Sequence, residues 1–176
     1  MSAHAITNEE SGPTRSPSAW RERLPILGLA ALGLFISAYL SLVQIGVLPH
    51  AWDPIFGSAS SDRVLLHSIL APLPDAVLGV LGYCADIITG ALGGRNRWRT
   101  WPSMTLLFGL VIFGLALVSV LLILLQTLYM HTWCTLCLCS ALISLVIFGL
   151  GVHEPLATLG YQLRHLFYEP PWSVEG

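Results

Sequence analysis

Two cysteines in Cys-Thr-Leu-Cys, Cys134 and Cys137, are the residues whose types and spacing point most directly to chemistry. On a helix, positions i and i+3 bring the sulfurs close enough for a strained, easily reduced disulfide. The unsatisfied N–H groups of a helix start also stabilise a thiolate. A redox dithiol needs both properties. The opposing reading is that cysteine in a membrane bundle is a small packing residue. The location of the pair, at the mouth of an apolar segment, favours the redox reading.

Other candidate groups surround the pair. Cys139, two residues past Cys137, turns to the opposite helix face and reads as packing. Cys84, in the middle of another apolar segment, reads as packing or as facing a bundle interior. His131, Cys134, Cys137 and Cys139 also read as a soft metal site, but donors confined to residues 131–139 cannot close a tetrahedron unless the helix start is unwound, so no metal is expected. His131 is then an interfacial residue or a neighbouring cation that lowers a thiol pKa. Asp86, a carboxylate inside an apolar segment, is a functional candidate by default, with solvation or an interior hydrogen bond as the structural alternative. Asp75 is a helix cap or a group at the mouth of the same site.

The elements that position these residues follow from composition. The chain has 176 residues, 55% hydrophobic and 10% charged, against about a quarter charged in an ordinary soluble domain. Every basic residue is arginine, and the formal net charge is -2. No block of like charge exists to track a phosphate backbone, so nucleic acid is not an expected partner and the lipid bilayer is. Four apolar stretches, Leu24–Leu48, Ala76–Gly94, Met104–Tyr129 and Thr132–Val152, predict an all-α integral membrane protein, a four-helix transmembrane bundle. The first stretch exceeds a signal-peptide core and lacks a cleavage site, so it reads as an anchor.

Arginine placement sets the direction. With the N-terminus inside, Arg15, Arg21, Arg23, Arg95, Arg97, Arg99 and Arg164 are all cytoplasmic and only Arg63 is outside. Pro49–Leu73 then forms an outer loop, and the cysteine pair lies on the outer side, where disulfides persist. Residues 1–23 read as a disordered cytoplasmic tail, 24–153 as the bundle and 154–176 as a cytoplasmic tail. In that tail Leu156, Leu159, Leu163, Leu166 and Phe167 recur at helical spacing along the inner interface.

Ser37-Ala38-Tyr39-Leu40 in the first span, Pro74-Asp75-Ala76-Val77-Leu78-Gly79-Val80-Leu81-Gly82-Tyr83 in the second and Trp133-Cys134-Thr135-Leu136-Cys137 opening the fourth resemble the vitamin K epoxide reductase family. The resemblance implies a membrane oxidoreductase whose cysteine pair exchanges electrons with a quinone held in the bundle. Bacterial members supply disulfides to exported proteins through a thioredoxin-like partner, so an exported thiol protein and the plasma (inner) membrane are implied. By the same similarity Cys134 takes part in thiol exchange and Cys137 faces the quinone. The ring is expected near the mouth bounded by Asp75, Leu78, Cys134 and Cys137, with Gly79 and Tyr83 alongside. Cys134 is expected nearer the aqueous boundary and Cys137 one turn deeper.

The chain departs from the family in its outer loop, which has no cysteine; Asp53 and Ser61 stand about where the family's relay pair belongs. The Trp52-Asp53-Pro54-Ile55-Phe56-Gly57 stretch looks like a bacterial subgroup signature. Asp75 replaces the family's quinone-binding asparagine, and Ala141 its tyrosine. These differences speak against vitamin K epoxide as substrate. They also keep a second class of function open, a non-catalytic membrane module that binds a lipid or a partner.

Overall fold

The computed structural model describes residues 20–66, 74–92 and 102–168. Of the expected disordered tail 1–23, residues 1–19 lie outside them, as do the Arg95–Arg99 cluster and the last residues of the chain, whereas residues 20–23 are helical and continue the first span rather than a disordered tail. The described residues form α1 (Trp20–Gln44), α2 (Ser58–Leu66), α3 (Asp75–Ala91), α4 (Pro102–Leu125), a π-helical turn over Gln126–Met130, α5 (Thr135–Gly151) and α6 (His153–Tyr168). No strand occurs among them.

The four long helices α1, α3, α4 and α5 close into a bundle: α1 packs on α3 and α5, and α4 packs on the same two from the other side. Their residues suit a lipid solvent. Leu107, Leu110, Phe113, Leu117, Leu121 and Leu124 of α4 all stay exposed, an outward apolar surface that water would not tolerate. Three segments are long and apolar enough to cross a membrane: Arg23–Gln44, Pro102–Met130 and Thr135–Gly160. α3 has 17 residues, or ~25 Å of helix against a hydrocarbon core of ~30 Å. The chain is an all-α membrane bundle of four packed helices, three of which reach crossing length.

Without a hydrophobic drive between helices in lipid, close approach and interhelical hydrogen bonds hold such a bundle together. At Gly33 of α1 the backbone lies directly against the Tyr83 ring of α3, so that an added methyl would overlap it. Gly79 of α3 meets the Ser37 hydroxyl in the same way. Tyr83 is fully buried and its hydroxyl donates to the Ser140 carbonyl of α5 at 2.6 Å. Ser144 of α5 donates to Ser119 of α4 at 2.5 Å. Below this belt Ile26, Ala30, Phe108, Ile112, Ile143 and Ile147 fill the core.

Several boundaries differ from those expected. The first helix stops at Gln44 rather than Leu48, because Gly46 takes φ 80° and the Val47 and Leu48 amides fold back onto the Leu42 carbonyl at 3.0 and 3.1 Å, a glycine helix stop. Pro74 occupies the N-cap of α3, which makes Asp75 its first residue and not its cap. The expected loop 49–73 contains α2. The fourth helix begins at Thr135 rather than near Thr132, with Cys134 as its N-cap.

Past α5, only Val152 intervenes before α6, which packs on α4. The expected boundary at 153/154 therefore runs through the first turn of a helix. There Glu154 meets Arg23 of α1 at 3.3 Å, with side chains 6% and 4% exposed.

Candidate active site at the head of α5

The chain reaches α5 through an irregular turn. After the π-helical segment, His131 adopts a left-handed conformation at φ 49°, which costs a non-glycine residue energy and sharply reverses the backbone. Residues 131–134 then run without regular structure into α5. Cys134 is extended at φ −122°, ψ 115°, and its sulfur accepts from the Cys137 amide at 3.3 Å. A sulfur thus fills the place an N-cap oxygen usually takes. Both thiols are free.

Cys134 is 0% exposed, so the expected position nearest the aqueous boundary is not observed. The segment between α1 and α3 covers it. Ser60 donates to the Trp133 carbonyl at 2.8 Å and accepts from the Trp133 amide at 3.2 Å. Phe56 stacks on Trp133 with ring centroids 6.1 Å apart. On the other side of Cys134, the Thr135 amide donates to Asp53 Oδ2 at 2.8 Å and the Thr135 hydroxyl to Oδ1 at 2.5 Å.

Asp53 organises this cover. Besides Thr135 it accepts from the Ser61 hydroxyl at 2.5 Å and from the Ile55 and Phe56 amides, both at 2.9 Å. Burial works against its charge, but the bonds from Ser61, Thr135 and Phe56 outweigh burial and hold the carboxyl well below the usual carboxylate range. The two residues standing about where the family's loop cysteines belong are therefore bonded to each other. Tyr39 and Asp62 fix the rest: the Trp52 amide donates to the Tyr39 hydroxyl and the Ala51 amide to Asp62 Oδ1, each at 2.9 Å. That amide, with His50 at 2.9 Å, lowers the Asp62 carboxyl too.

The Cys134 thiol is lowered below the ordinary thiol range. Hydrogen bonding from the Cys137 thiol is the largest cause, burial opposes it, the Ser61 hydroxyl and the Cys137 amide add to it, and the Asp53 charge counteracts it. The shift favours the thiolate, the form that exchanges.

One turn along α5, Cys137 lines a cavity of about 380 Å³ between the helices. Asp75, Leu78, Gly79 and Tyr83 of α3 line it as well, with Gln44 of α1 and Gln126 of the π-helical turn. Cys134 does not. The structure thus gathers five of the six residues singled out from sequence around one apolar space and puts the sixth behind it, under the loop. Gln44 braces the rim, donating to the Leu65 carbonyl at 3.0 Å and accepting from the Ala76 amide at 2.9 Å. Gln126 is 3% exposed, and its Oε1 has no hydrogen-bond partner. Sequence reasoning passed over both glutamines, whose only signal is a lone amide at the end of an apolar run. Leu, Val and Ala make up most of the rest of the wall, with Ser37, Ser119 and Ser140 among them, a lining that fits a flat apolar ring, and the orphaned buried amide oxygen offers a polar anchor.

Asp86 and Cys84 are not part of this lining. Asp86 is buried with neither carboxylate oxygen hydrogen-bonded. Cys139 is exposed on the outside of the bundle rather than packed within it. Among the described residues no three His, Cys, Asp or Glu side chains gather to hold a metal.

Residues 24–152 match the model of the vitamin K epoxide reductase family. The chain belongs to that family. The family is one of integral membrane thiol-disulfide oxidoreductases linked to quinones, with thiol proteins and lipid as its class of partners. No curated protein matches the chain.

Proposed function

We propose that this member of the family takes two electrons from an external dithiol through Cys134 and Cys137 and passes them to a quinone in the cavity beside Cys137. The observation that carries this reading is the split environment of the pair: one sulfur lies under the polar loop, and the other opens on an apolar cavity whose wall includes an unsatisfied amide. With the pair oxidised, a partner thiolate attacks Cys134, forms a mixed disulfide and releases Cys137 as thiolate. The partner's second thiolate then displaces Cys134, so that the partner leaves as a disulfide and the pair is left reduced. Gln126, Asp75, Leu78, Gly79 and Tyr83 hold the ring. The quinone supplies the oxidant, taking up two electrons and two protons as the pair closes again to a disulfide.

In this reading the site faces the outside of the plasma (inner) membrane, α3 completes a fourth crossing, and both termini are cytoplasmic, an orientation that the arginine distribution supports. Loss of the relay cysteines means that the partner must reach Cys134 itself. The complete burial of Cys134 favours a second reading, a non-catalytic module that binds a lipid or partner. Thiol-dependent quinone reduction in membranes separates the two. The proposal expects turnover that is lost in both Cys134→Ser and Cys137→Ser and retained in Cys139→Ser; absence of turnover with every quinone and dithiol supplied leaves the module.

A further inference from the structure

The segment over Cys134 is clamped at both residues that flank that cysteine: Ser60 holds Trp133, and Asp53 holds Thr135. Ser60 and Asp53 are themselves joined through the short path from Gly57 into α2, where Ser61 returns a hydrogen bond to Asp53. Of these contacts, those to Asp53 are charge-assisted, and the carboxylate alone bonds the Ile55 and Phe56 amides, α2 and α5 together. A single side chain therefore joins the cover to the helix that carries the thiol pair. Cys134 beneath it has no exposed surface, yet no thiol reagent or partner can react with a sulfur it cannot touch.

We propose that Asp53 is a positioning residue for thiol exchange: its carboxylate latches residues 52–61 over Cys134, and a partner reaches the sulfur only when the bonds from Asp53 to Thr135 open. The latch is set by geometry and not by ambient pH. A carboxyl held this far down stays ionised as pH falls through the ordinary carboxylate range, so the closed form persists through neutral and mildly acidic conditions. Asp53 has a second effect on the same sulfur, because its negative charge disfavours the Cys134 thiolate. Cover and charge both slow Cys134, but they leave different marks. Charge shifts the pH at which the thiol ionises; cover lowers the rate at which even the fully ionised thiol reacts.

The inference treats Cys134 as the partner-facing sulfur, in line with the function proposed above, but its test needs neither quinone nor turnover. The full-length reduced protein in lipid nanodiscs is treated with iodoacetamide across a range of pH, and alkylation at Cys134 is followed by site-resolved mass spectrometry. Asp53→Asn keeps the shape of the side chain but replaces one acceptor oxygen by an NH2 group, which cannot accept from Thr135 or Ser61. Its high-pH plateau rate at Cys134 is expected to rise about tenfold, the usual scale for losing a charge-assisted hydrogen bond from a closed state, with the midpoint of the profile moved down. Thr135→Val, which keeps the Asp53 charge, is expected to raise the plateau without moving the midpoint down. The rate at Cys139, exposed throughout, reports the integrity of the bundle. If Asp53→Asn moves only the midpoint, Asp53 acts by charge alone and the latch is refuted. If Asp53→Asn loses its fold, Thr135→Val combined with Ser61→Ala decides, since together they strip both hydroxyl donors from the carboxylate, and an unchanged plateau there refutes the latch equally.

Discussion

At the scale of single residues, the two sulfurs differ by what surrounds them. Cys134 accepts a backbone hydrogen bond and lies among the polar groups of the 52–61 segment, whereas Cys137 lines the apolar cavity. Cys137→Ser is therefore expected to hold a mixed disulfide with the disulfide form of an exported thiol protein, formed when the Cys134 thiolate attacks that disulfide and releases one partner thiolate, since Cys137 is no longer there to displace the partner; Cys134→Ser is expected to trap none. Non-reducing gels of acid-trapped membranes read the difference. Donors from Cys137 hold the Cys134 thiol below the ordinary thiol range, so its alkylation in the parent protein should rise and level off at a lower pH than that of an ordinary free thiol. A midpoint near that of an ordinary free thiol contradicts the arrangement of donors at this helix start. Gln126→Leu is expected to raise the KM for quinone about tenfold while leaving Cys134 alkylation unchanged, because only the cavity loses a polar group.

Elements carry the next level of specification, and there the sequence was legible only in part. The Cys-Thr-Leu-Cys spacing, the Pro-Asp entry to α3 and the long apolar runs each have a local physical signature, and each pointed to the right neighbourhood. α2 has none: Ser58–Leu66 is polar at its start and mixed after it, and its role depends on Gly57 at φ 81° and on bonds to residues far along the chain. Asp53 was legible as a substitution for a loop cysteine, but of its five bonds the two from Thr135, which tie the loop to the cysteine helix, exist only once the loop and α5 meet. Cys134 is expected nearer the aqueous boundary than Cys137, and its cover is not legible, since helix position alone does not reveal what folds over it. At Gly33, by contrast, the constraint is one of contact between elements: Gly33→Ala pushes a methyl into the Tyr83 ring. Overpacking of this kind costs about 1–3 kcal/mol. Thermal unfolding in detergent should show a lower midpoint for Gly33→Ala and a near-parental one for Gly28→Ala, where an added methyl meets no atom within 4 Å.

For the molecule as a whole, topology decides whether the site can serve exported proteins. With Arg63 as the lone arginine on the outer side, a membrane-impermeant thiol reagent should label Ser58→Cys on intact cells and Ser173→Cys only after permeabilisation. The opposite pattern would place the pair in a reducing compartment and sink the proposed direction of thiol supply. The same arrangement leaves the bundle dependent on its far end. Arg23 and Glu154 are nearly shut off from water where α1 begins and α6 departs, and a buried ion pair is costly to break from one side. The junction therefore tolerates a paired change better than a single one. Glu154→Gln removes the carboxylate while α6 stays in place over Arg23, and taking one partner from a buried ion pair costs about 3–5 kcal/mol, whereas Arg23→Met together with Glu154→Gln removes both charges and avoids most of that penalty. Of these two proteins, the one carrying more substitutions should show the higher thermal midpoint in detergent.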